Sequence, residues 1–312
     1  MKNYLRIRTN SSLKNHPIGF DSSIFVVNSS PDEIFDNMNL RSLALSFAAL
    51  IVLASCSSDD DGVGPANPNE TATNYFPMQV GHQWTYQNER DIENQPPQEG
   101  TEQLSVDDSF TSNGSTSYTF TSNVSPDQQE VATLLFTSGK LTKVEGRLIY
   151  NGQLEYNLPA IDASFSIPLH NLIVYDQNID SGQNLTSITD TITKNIDLSG
   201  MDVPVNFYYT FESYEDDFYD SFTANDQEYD DVISSQFIVN LSASAELLPG
   251  LNIDILLDQQ VLQSTNYFAK GIGLIKSENL INAEFEDLTE FGLFLSPIHG
   301  NTSQTLIDFS LD

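Results

Sequence analysis

Nine carboxylates lie between residues 212 and 231 of this 312-residue chain, and no lysine or arginine lies among them. Carboxylate oxygens are the ligands that Ca²⁺ prefers, and extracellular calcium sites are weak enough for loosely arranged acids to serve. The segment is therefore a candidate calcium site. Its candidate ligands are Asp216, Asp217, Asp220, Asp230 and Asp231. Interleaved tyrosines and phenylalanines leave an alternative open, in which the segment is a solvated hairpin with one packed aromatic face.

The sequence gives little support for a catalytic site. The histidines beyond residue 56 (His82, His170 and His299) are far apart and lie in unrelated contexts. A His-Glu-x-x-His pair, a Gly-x-Ser-x-Gly elbow, a P-loop and a dinucleotide glycine fingerprint are all absent from the sequence. Paired carboxylates could hydrolyse glycosides, but among 44 acidic residues no pair stands out. We expect no enzymatic activity, and a carbohydrate-active enzyme is the alternative.

Cys56 is the only cysteine of the chain, and it directly follows Leu53-Ala54-Ser55. Arg41 and an apolar run that begins at Leu43 precede it. A basic residue, a short apolar run and small residues before a cysteine are typical of a bacterial lipoprotein signal peptide. The run is shorter than the roughly 20 residues that a membrane-spanning helix needs. The sequence predicts cleavage before Cys56 and attachment of diacylglycerol and an acyl chain to it, without any other cofactor apart from the calcium considered above.

The chain divides into four segments on this interpretation. Residues 1–37 are an over-extended gene start or a disordered leader, residues 38–55 are the signal peptide, and residues 56–74 are a flexible acidic tether. Residues 75–312 form one β domain. The run Asp59-Asp60-Asp61 resembles the export signal of Bacteroidetes lipoproteins that reach the cell surface. We therefore expect a lipid-anchored outer-membrane protein, with the cell surface favoured over the periplasmic face.

The formal net charge of −32 excludes nucleic acid as a partner, because nucleic-acid binding requires clustered lysine and arginine. The charge either gives affinity for divalent cations or a basic partner, or serves solubility alone. The membrane is a partner through the lipid on Cys56, and a lipid, glycan or protein ligand is open. Without a further cysteine the domain has no disulfide bond.

Alternation of apolar and polar residues predicts the fold class. It is clearest at Phe237–Glu246 and Val205–Phe211, where aromatic and aliphatic side chains share one strand face. Thr133–Phe136 is predicted as a short strand, Asn151-Gly152 as a hairpin turn, and 278–293 as the best candidate for a helix. The prediction is a mainly β single domain: an antiparallel curved sheet or open half barrel with at most one or two short helices.

Two blocks carry a family resemblance. Tyr75–Tyr86 (YFPMQVGHQWTY) resembles the opening motif of a Bacteroidetes-type family of cell-envelope lipoproteins of unassigned function. Tyr229–Ile233 (YDDVI) and Tyr267–Ile275 (YFAKGIGLI) are similar to its closing strands. The resemblance implies a distant relation to the curved-sheet lipoprotein carriers of the LolA and LolB type, which hold acyl chains in a concave apolar face.

Gly271 and Gly273 of the closing block alternate on one strand and leave no side chain there. Such glycines leave room for a ligand or for a large aromatic such as Trp84, or they allow packing across a sharply curved sheet. Taken together, the residues predict a non-enzymatic, outer-membrane-anchored lipoprotein. Its curved β domain binds an apolar or polymeric ligand or a partner protein. The alternatives are a calcium-ordered structural or adhesion module and a carbohydrate-active enzyme.

Overall fold

A computed structural model describes most of the domain, and all described residues belong to one compact unit. The described ranges are 74–158, 163–198, 201–248, 250–291 and 293–311. Cys56, the signal peptide, the leader and the tether up to residue 73 lie outside the described residues. Those predictions therefore stay predictions.

Twelve strands form one antiparallel sheet, which confirms the predicted fold class. The strands are β1 Gln83–Ile92, β2 Gln98–Ser112, β3 Ser115–Ser122, β4 Gly139–Val144, β5 Arg147–Leu158, β6 Ala163–Asp176, β7 Asn184–Leu198, β8 Met201–Ala224, β9 Gln227–Leu248, β10 Leu251–Ala269, β11 Gly273–Ala283 and β12 Ile298–Ser310. Their spatial order is β6-β5-β4-β3-β2-β1-β12-β11-β10-β9-β8-β7. Every neighbouring pair is adjacent in sequence except β1 and β12, which join the two ends of the domain.

The sheet is nearly closed into a barrel, and the break falls between β6 and β7. At one end of this seam the backbone N–H of Ile173 donates to the Thr186 hydroxyl at 3.0 Å. The N–H of Gly182, in the loop that joins the two strands, donates to the carbonyl of Glu215 at 2.6 Å. The loop is thus held against β8, and the described parts of β6 and β7 form no ladder of backbone hydrogen bonds.

The structure has one α-helix among its described residues, α1 at Val131–Thr137, and single 3-10 turns at Pro126–Gln128 and Thr289–Phe291. The strand predicted at Thr133–Phe136 is wrong, because these residues lie in α1. A short apolar run does not distinguish a buried helical turn from a buried strand. Ala132, Leu135 and Phe136 of α1 are buried in the barrel.

The helix predicted over 278–293 is also wrong. Its first part is the second half of β11, where Glu278 and Leu280 are exposed and Asn279 between them is buried. The hairpin turn predicted at Asn151-Gly152 is wrong as well, because both residues lie within β5. The β4–β5 hairpin instead turns at Glu145 and Gly146, which have φ of 50° and 83°. Gly152 lies opposite Gly139 in the ladder, and the ring of Tyr150 fills the space above both.

The opening and closing blocks pack against each other in the core. The Trp84 indole N–H donates to the carbonyl of Ile272 at 2.6 Å, and the Tyr86 hydroxyl donates to that of Leu274 at 3.1 Å. A Cβ on Gly273 would lie 2.7 Å from the Phe76 ring and 2.8 Å from the Trp84 indole nitrogen. Gly273 therefore makes room for large aromatics, one of the alternatives that the sequence left open. The largest fully buried side chains are Trp84, Tyr86, Tyr150, Tyr209, Phe76, Phe136, Phe165, Phe207, Phe211, Phe237, Phe268 and Leu104.

Candidate ligand-binding cleft

An open cleft of about 560 Å³ lies on the outer face of the sheet. Its floor is a row of side chains directly opposite one another across β10, β11, β12, β1 and β2: Thr265, Glu278, Ser303, Glu89 and Glu99. Residues next to this row in sequence, such as Asn279 and Asn88, are buried and point inward. Because successive side chains of a strand point to opposite faces, the side chains of the row point outward.

The cleft is anionic. Glu89, Asp91 and Glu99 are exposed in it, and within the described part of the chain they form no ion pair. Glu278 is paired with Lys276 at 2.8 Å. The guanidinium of Arg90, whose strand lines the cleft, turns inward to the carboxylate of Glu130 at 2.6 Å. Three carboxylates therefore remain uncompensated on the outer surface.

An aromatic cluster of Tyr219, Phe222 and Tyr267 borders the cleft. The Tyr267 ring stacks on Phe222 with 4.4 Å between centroids, and Tyr219 lies edge-on to Phe222 at 5.4 Å. The Tyr267 hydroxyl donates to Oε2 of Glu278 at 3.3 Å and so connects the cluster to the cleft. Burial, and next the charge of Glu278, raise the pKa of Tyr267. The Tyr267 hydroxyl is therefore neutral at physiological pH.

The acidic segment 212–231 is the hairpin of β8 and β9, as its interleaved aromatics suggested. The strands turn at Asn225 and Asp226, whose φ values of 49° and 59° suit a two-residue hairpin turn. Two of its aromatics, Tyr219 and Phe222, form the cluster beside the cleft. The hairpin therefore places aromatic side chains beside the cleft and presents most of its acids to solvent, whereas Glu215 is buried.

The five candidate calcium ligands are spread along this hairpin: Asp216, Asp217, Asp220, Asp230 and Asp231. Asp216 accepts a hydrogen bond from the Ser234 hydroxyl at 2.7 Å, and Asp231 is paired with Lys270 at 2.9 Å. In the described ranges no three acidic, histidine or cysteine side chains are grouped so that they could hold a metal ion. Calcium binding stays a prediction from sequence. A thermal midpoint that does not change between chelator and millimolar calcium would contradict it.

A row of buried polar side chains, which we call the polar belt, lies on the inner face of the same sheet. Its members are directly opposite one another across six strands: Glu215, Ser235, Asn266, Ser277, Gln304 and Asn88. None is more than 6% exposed. Five of them carry a buried atom that has no hydrogen-bond partner, and Ser277 is the exception. Alternating polar residues in β10 to β12 could have indicated this belt, but such strands are typical of a solvated face.

Glu102 joins the polar belt to α1. Its carboxylate accepts hydrogen bonds from Asn88 and Thr133 at 2.9 Å each and from Gln304 at 3.1 Å. Ser122 donates to its other oxygen at 2.9 Å. Because Thr133 is in α1, this buried carboxylate ties the helix to strands β1, β3 and β12. The strands below the cleft are therefore joined to α1 by hydrogen bonds on their inner face.

Glu130, the residue before α1, provides a second link. It accepts hydrogen bonds from Arg90 and from Thr302, a β12 residue. Burial raises the pKa of Glu130, and the nearby Arg90 charge acts in the opposite direction. A buried ion pair of this kind is sensitive to loss of one partner, because the other charge is then left uncompensated. Arg90 is consequently unavailable to neutralise the acids of the cleft.

Glu215 is a buried carboxyl at the barrel seam that sequence reasoning did not single out. Its Oε2 accepts a hydrogen bond from the backbone N–H of Asp176 at 2.7 Å, and its Oε1 has no partner. Burial raises the pKa of Glu215 to about 8, the Asp176 hydrogen bond lowers it, and the charges of Asp176 and Asp216 raise it further. In the sequence it is one acid among nine, so its burial became visible only in the fold.

No helix within the described ranges is both long and apolar enough to cross a membrane. No family model matches the chain, and no curated protein matches it.

Three solved structures are similar to the chain. A lipoprotein candidate from Parabacteroides distasonis shares 11% identity over 76% of this chain and 98% of its own, with a TM-score of 0.32. A candidate exported protein with a YmcC-like fold from Bacteroides fragilis shares 10% identity over 75% and 98%, with a TM-score of 0.26. A LolA superfamily protein from Nitrosomonas europaea shares 7% over 78% and 91%, with a TM-score of 0.20. Similarity this low carries no argument about function, so the proposals below rest on the residues of this chain.

Proposed function

We propose that this chain is a non-enzymatic lipoprotein, anchored in the outer membrane through Cys56, whose barrel binds a partner polypeptide. The partner inserts an extended, basic segment into the cleft on the outer face. The observation that carries the proposal is the uncompensated negative charge of Glu89, Asp91 and Glu99 in an open cleft. Opposite charge across an interface raises the association rate and selects the partner.

The dimensions of the cleft suit an extended chain. Its floor crosses five strands, and neighbouring strands lie about 4.8 Å apart, so the floor is about 19 Å wide. An extended peptide rises about 3.3 Å per residue, and five or six residues would therefore cover it. Amide and hydroxyl side chains such as Gln263, Asn301 and Ser303 can bond the peptide backbone.

The filled interior of the barrel leaves little room for an apolar ligand, which favours a polymeric ligand or a partner protein. The ring of Phe76 lies 4.9 Å from that of Trp84 and 5.7 Å from that of Phe120, centroid to centroid. The aromatic side chains therefore fill the space between β1, β3 and α1 themselves. Binding on the outer surface leaves this core intact.

The side chains that line the cleft also support a binding role rather than catalysis. They comprise carboxylates, amides, hydroxyls, one arginine, one proline and one leucine, and the arginine is turned inward. Histidine, cysteine and lysine are not among these lining residues. The arrangement provides charge and hydrogen bonds for recognition.

Peptide binding to matched charge variants tests the proposal. The probe is a fluorescent oligolysine of about ten residues, and the readout is anisotropy at an ionic strength of about 0.1 M, where the Debye length is about 10 Å. Exposed charge pairs contribute about 0.2–1 kcal/mol each. Glu89→Gln with Glu99→Gln should therefore weaken binding by about twofold to thirtyfold.

The matched control is Asp254→Asn with Asp258→Asn, which removes the same charge from exposed positions of β10 outside the cleft. The control should change affinity by less than about twofold, because charges more than a Debye length away are screened. Equal loss in both variants would show that the peptide responds only to net charge, and the proposal would be abandoned.

A further inference from the structure

Strand β7 is a free edge of the sheet. It pairs with β8 on one side, and on its other side the hydroxyl of Thr186 accepts the one hydrogen bond that β6 donates to it among the described residues. Among the described residues no ladder of backbone hydrogen bonds joins β7 to β6, so the backbone groups on this side of β7 have no paired strand. Such an edge is a template for pairing with another strand.

The sequence of this edge is symmetric about Ile192. Isoleucines lie four positions away on both sides, at 188 and 196, and Asp190 and Lys194 lie two positions away on either side. These even-numbered residues share one strand face. On the other face, Thr191 and Thr193 flank the same centre.

We propose that two copies of this chain associate by antiparallel pairing of their β7 strands, with Ile192 of one copy opposite Ile192 of the other. In that register each Asp190 lies opposite the second copy's Lys194, and each Ile188 lies opposite Ile196. Two cross-strand ion pairs follow from the one alignment, with the half-buried Ile192 side chains facing each other at its centre. Ile196 is buried in its own barrel and adds little to the contact. The two barrels would then share one continuous sheet.

The two charges are accessible for these contacts, and Oδ1 of Asp190 also accepts a hydrogen bond from the backbone N–H of Thr191 at 2.7 Å. Asp190 and Lys194 are both exposed, and neither forms an ion pair within the part of the chain that the structure describes. Lys194 is one of only 12 lysine and arginine residues set against 44 acids. A charge on an edge strand normally opposes pairing. Here opposite signs placed symmetrically favour one partner and one register.

Other registers are disfavoured by the same residues. A shift of two positions would set Asp190 opposite an isoleucine and lose both ion pairs, and a shift of one would bring opposite faces of the strands together. The net charge of −32 per chain opposes close approach of two copies. Confinement to one membrane through the lipid on Cys56 would raise the effective concentration and offset that repulsion.

Cysteine cross-linking of the full-length protein in host membranes tests the register. Directly opposite residues of antiparallel strands have Cα atoms about 4.5–5.5 Å apart, which suits a disulfide bond. Ile192→Cys, with mild oxidant, should give a disulfide-linked dimer on a non-reducing gel. Thr189→Cys is the control, because two copies of residue 189 would be six positions apart, or about 20 Å. Failure of Ile192→Cys to cross-link, or equal cross-linking at 189, would overturn the proposal.

Charge reversal gives an independent test at exposed positions, where the fold is not at risk. Asp190→Lys and Lys194→Asp, each combined with Ile192→Cys, should each reduce the cross-linked fraction by at least about threefold, because like charges then face each other. The double reversal should restore it, and co-expression of the two single reversals should give the mixed dimer. A cross-linked fraction that is insensitive to these changes would also overturn the proposal.

Discussion

Replacing Glu215 by glutamine should abolish a large pH dependence of the stability of the barrel. In the folded protein the pKa of Glu215 is about 8, against a usual value of 4.5, chiefly because of burial. Between these values the folded protein keeps the proton and the unfolded chain releases it. Stability is therefore fully present below about pH 4.5 and falls as the pH rises to about 8.

The size of the change in unfolding free energy follows from the pKa shift of Glu215. One pKa unit corresponds to about 1.4 kcal/mol, so the wild type should lose up to about 4–5 kcal/mol of unfolding free energy between pH 4.5 and 8 from this group. Glutamine has the same shape, accepts the same hydrogen bond from Asp176 and carries no charge at any pH. Glu215→Gln should therefore exceed the wild type by less than about 1 kcal/mol at pH 5 and by up to about 4 kcal/mol at pH 8.

Urea denaturation at half-unit steps from pH 5 to 9 measures both curves. Glu228→Gln is a suitable control, because Glu228 is exposed near the tip of the same hairpin and its replacement should leave the wild-type slope in place. Parallel curves for the wild type and Glu215→Gln would refute the reasoning, since another group would then carry the pH dependence.

Three further predictions concern the core, the polar belt and the anchor. Gly273→Ala should destabilise the fold by about 2–4 kcal/mol in urea titrations, because its Cβ would meet Phe76 at a φ of 119°, and Gly271→Ala, with open space around it, should cost only about 1 kcal/mol. Glu102→Ala should cost about 3 kcal/mol or more, since four donors lose their buried acceptor, and the exposed Glu99→Ala should stay within about 0.5 kcal/mol. Cys56→Ala should move the protein from the membrane to the soluble fraction after cell lysis, and continued membrane partitioning would contradict lipid anchoring.

Much of the β architecture could be predicted from sequence, because apolar and polar residues alternate within each strand. Phe237, Val239 and Leu241 alternate with polar residues, and all three are buried in β9. The absence of disulfide bonds followed equally from composition. These features depend on residues within one strand or on residue counts, so no knowledge of neighbours is needed.

The errors share one cause: the outcome depended on a distant neighbour. Asn151-Gly152 is a strong turn signal, yet Gly152 serves to accommodate the Tyr150 ring opposite Gly139. The apolar run Thr133–Phe136 is helical, and Thr133, Leu135 and Phe136 are buried. Local preference for a turn or a strand amounts to about 1 kcal/mol, and packing against several partners outweighs it.

The candidate cleft likewise depends partly on features visible in the sequence and partly on long-range pairing. The acids of β1, β2 and β11 are evident in the sequence, but they form one surface only because β1 pairs with β12, more than 200 residues away in the chain. The same pairing turns Asn88 and Gln304 inward beside each other. A strand's alternation determines that two faces exist, and the long-range register alone decides which face is buried and which acids meet.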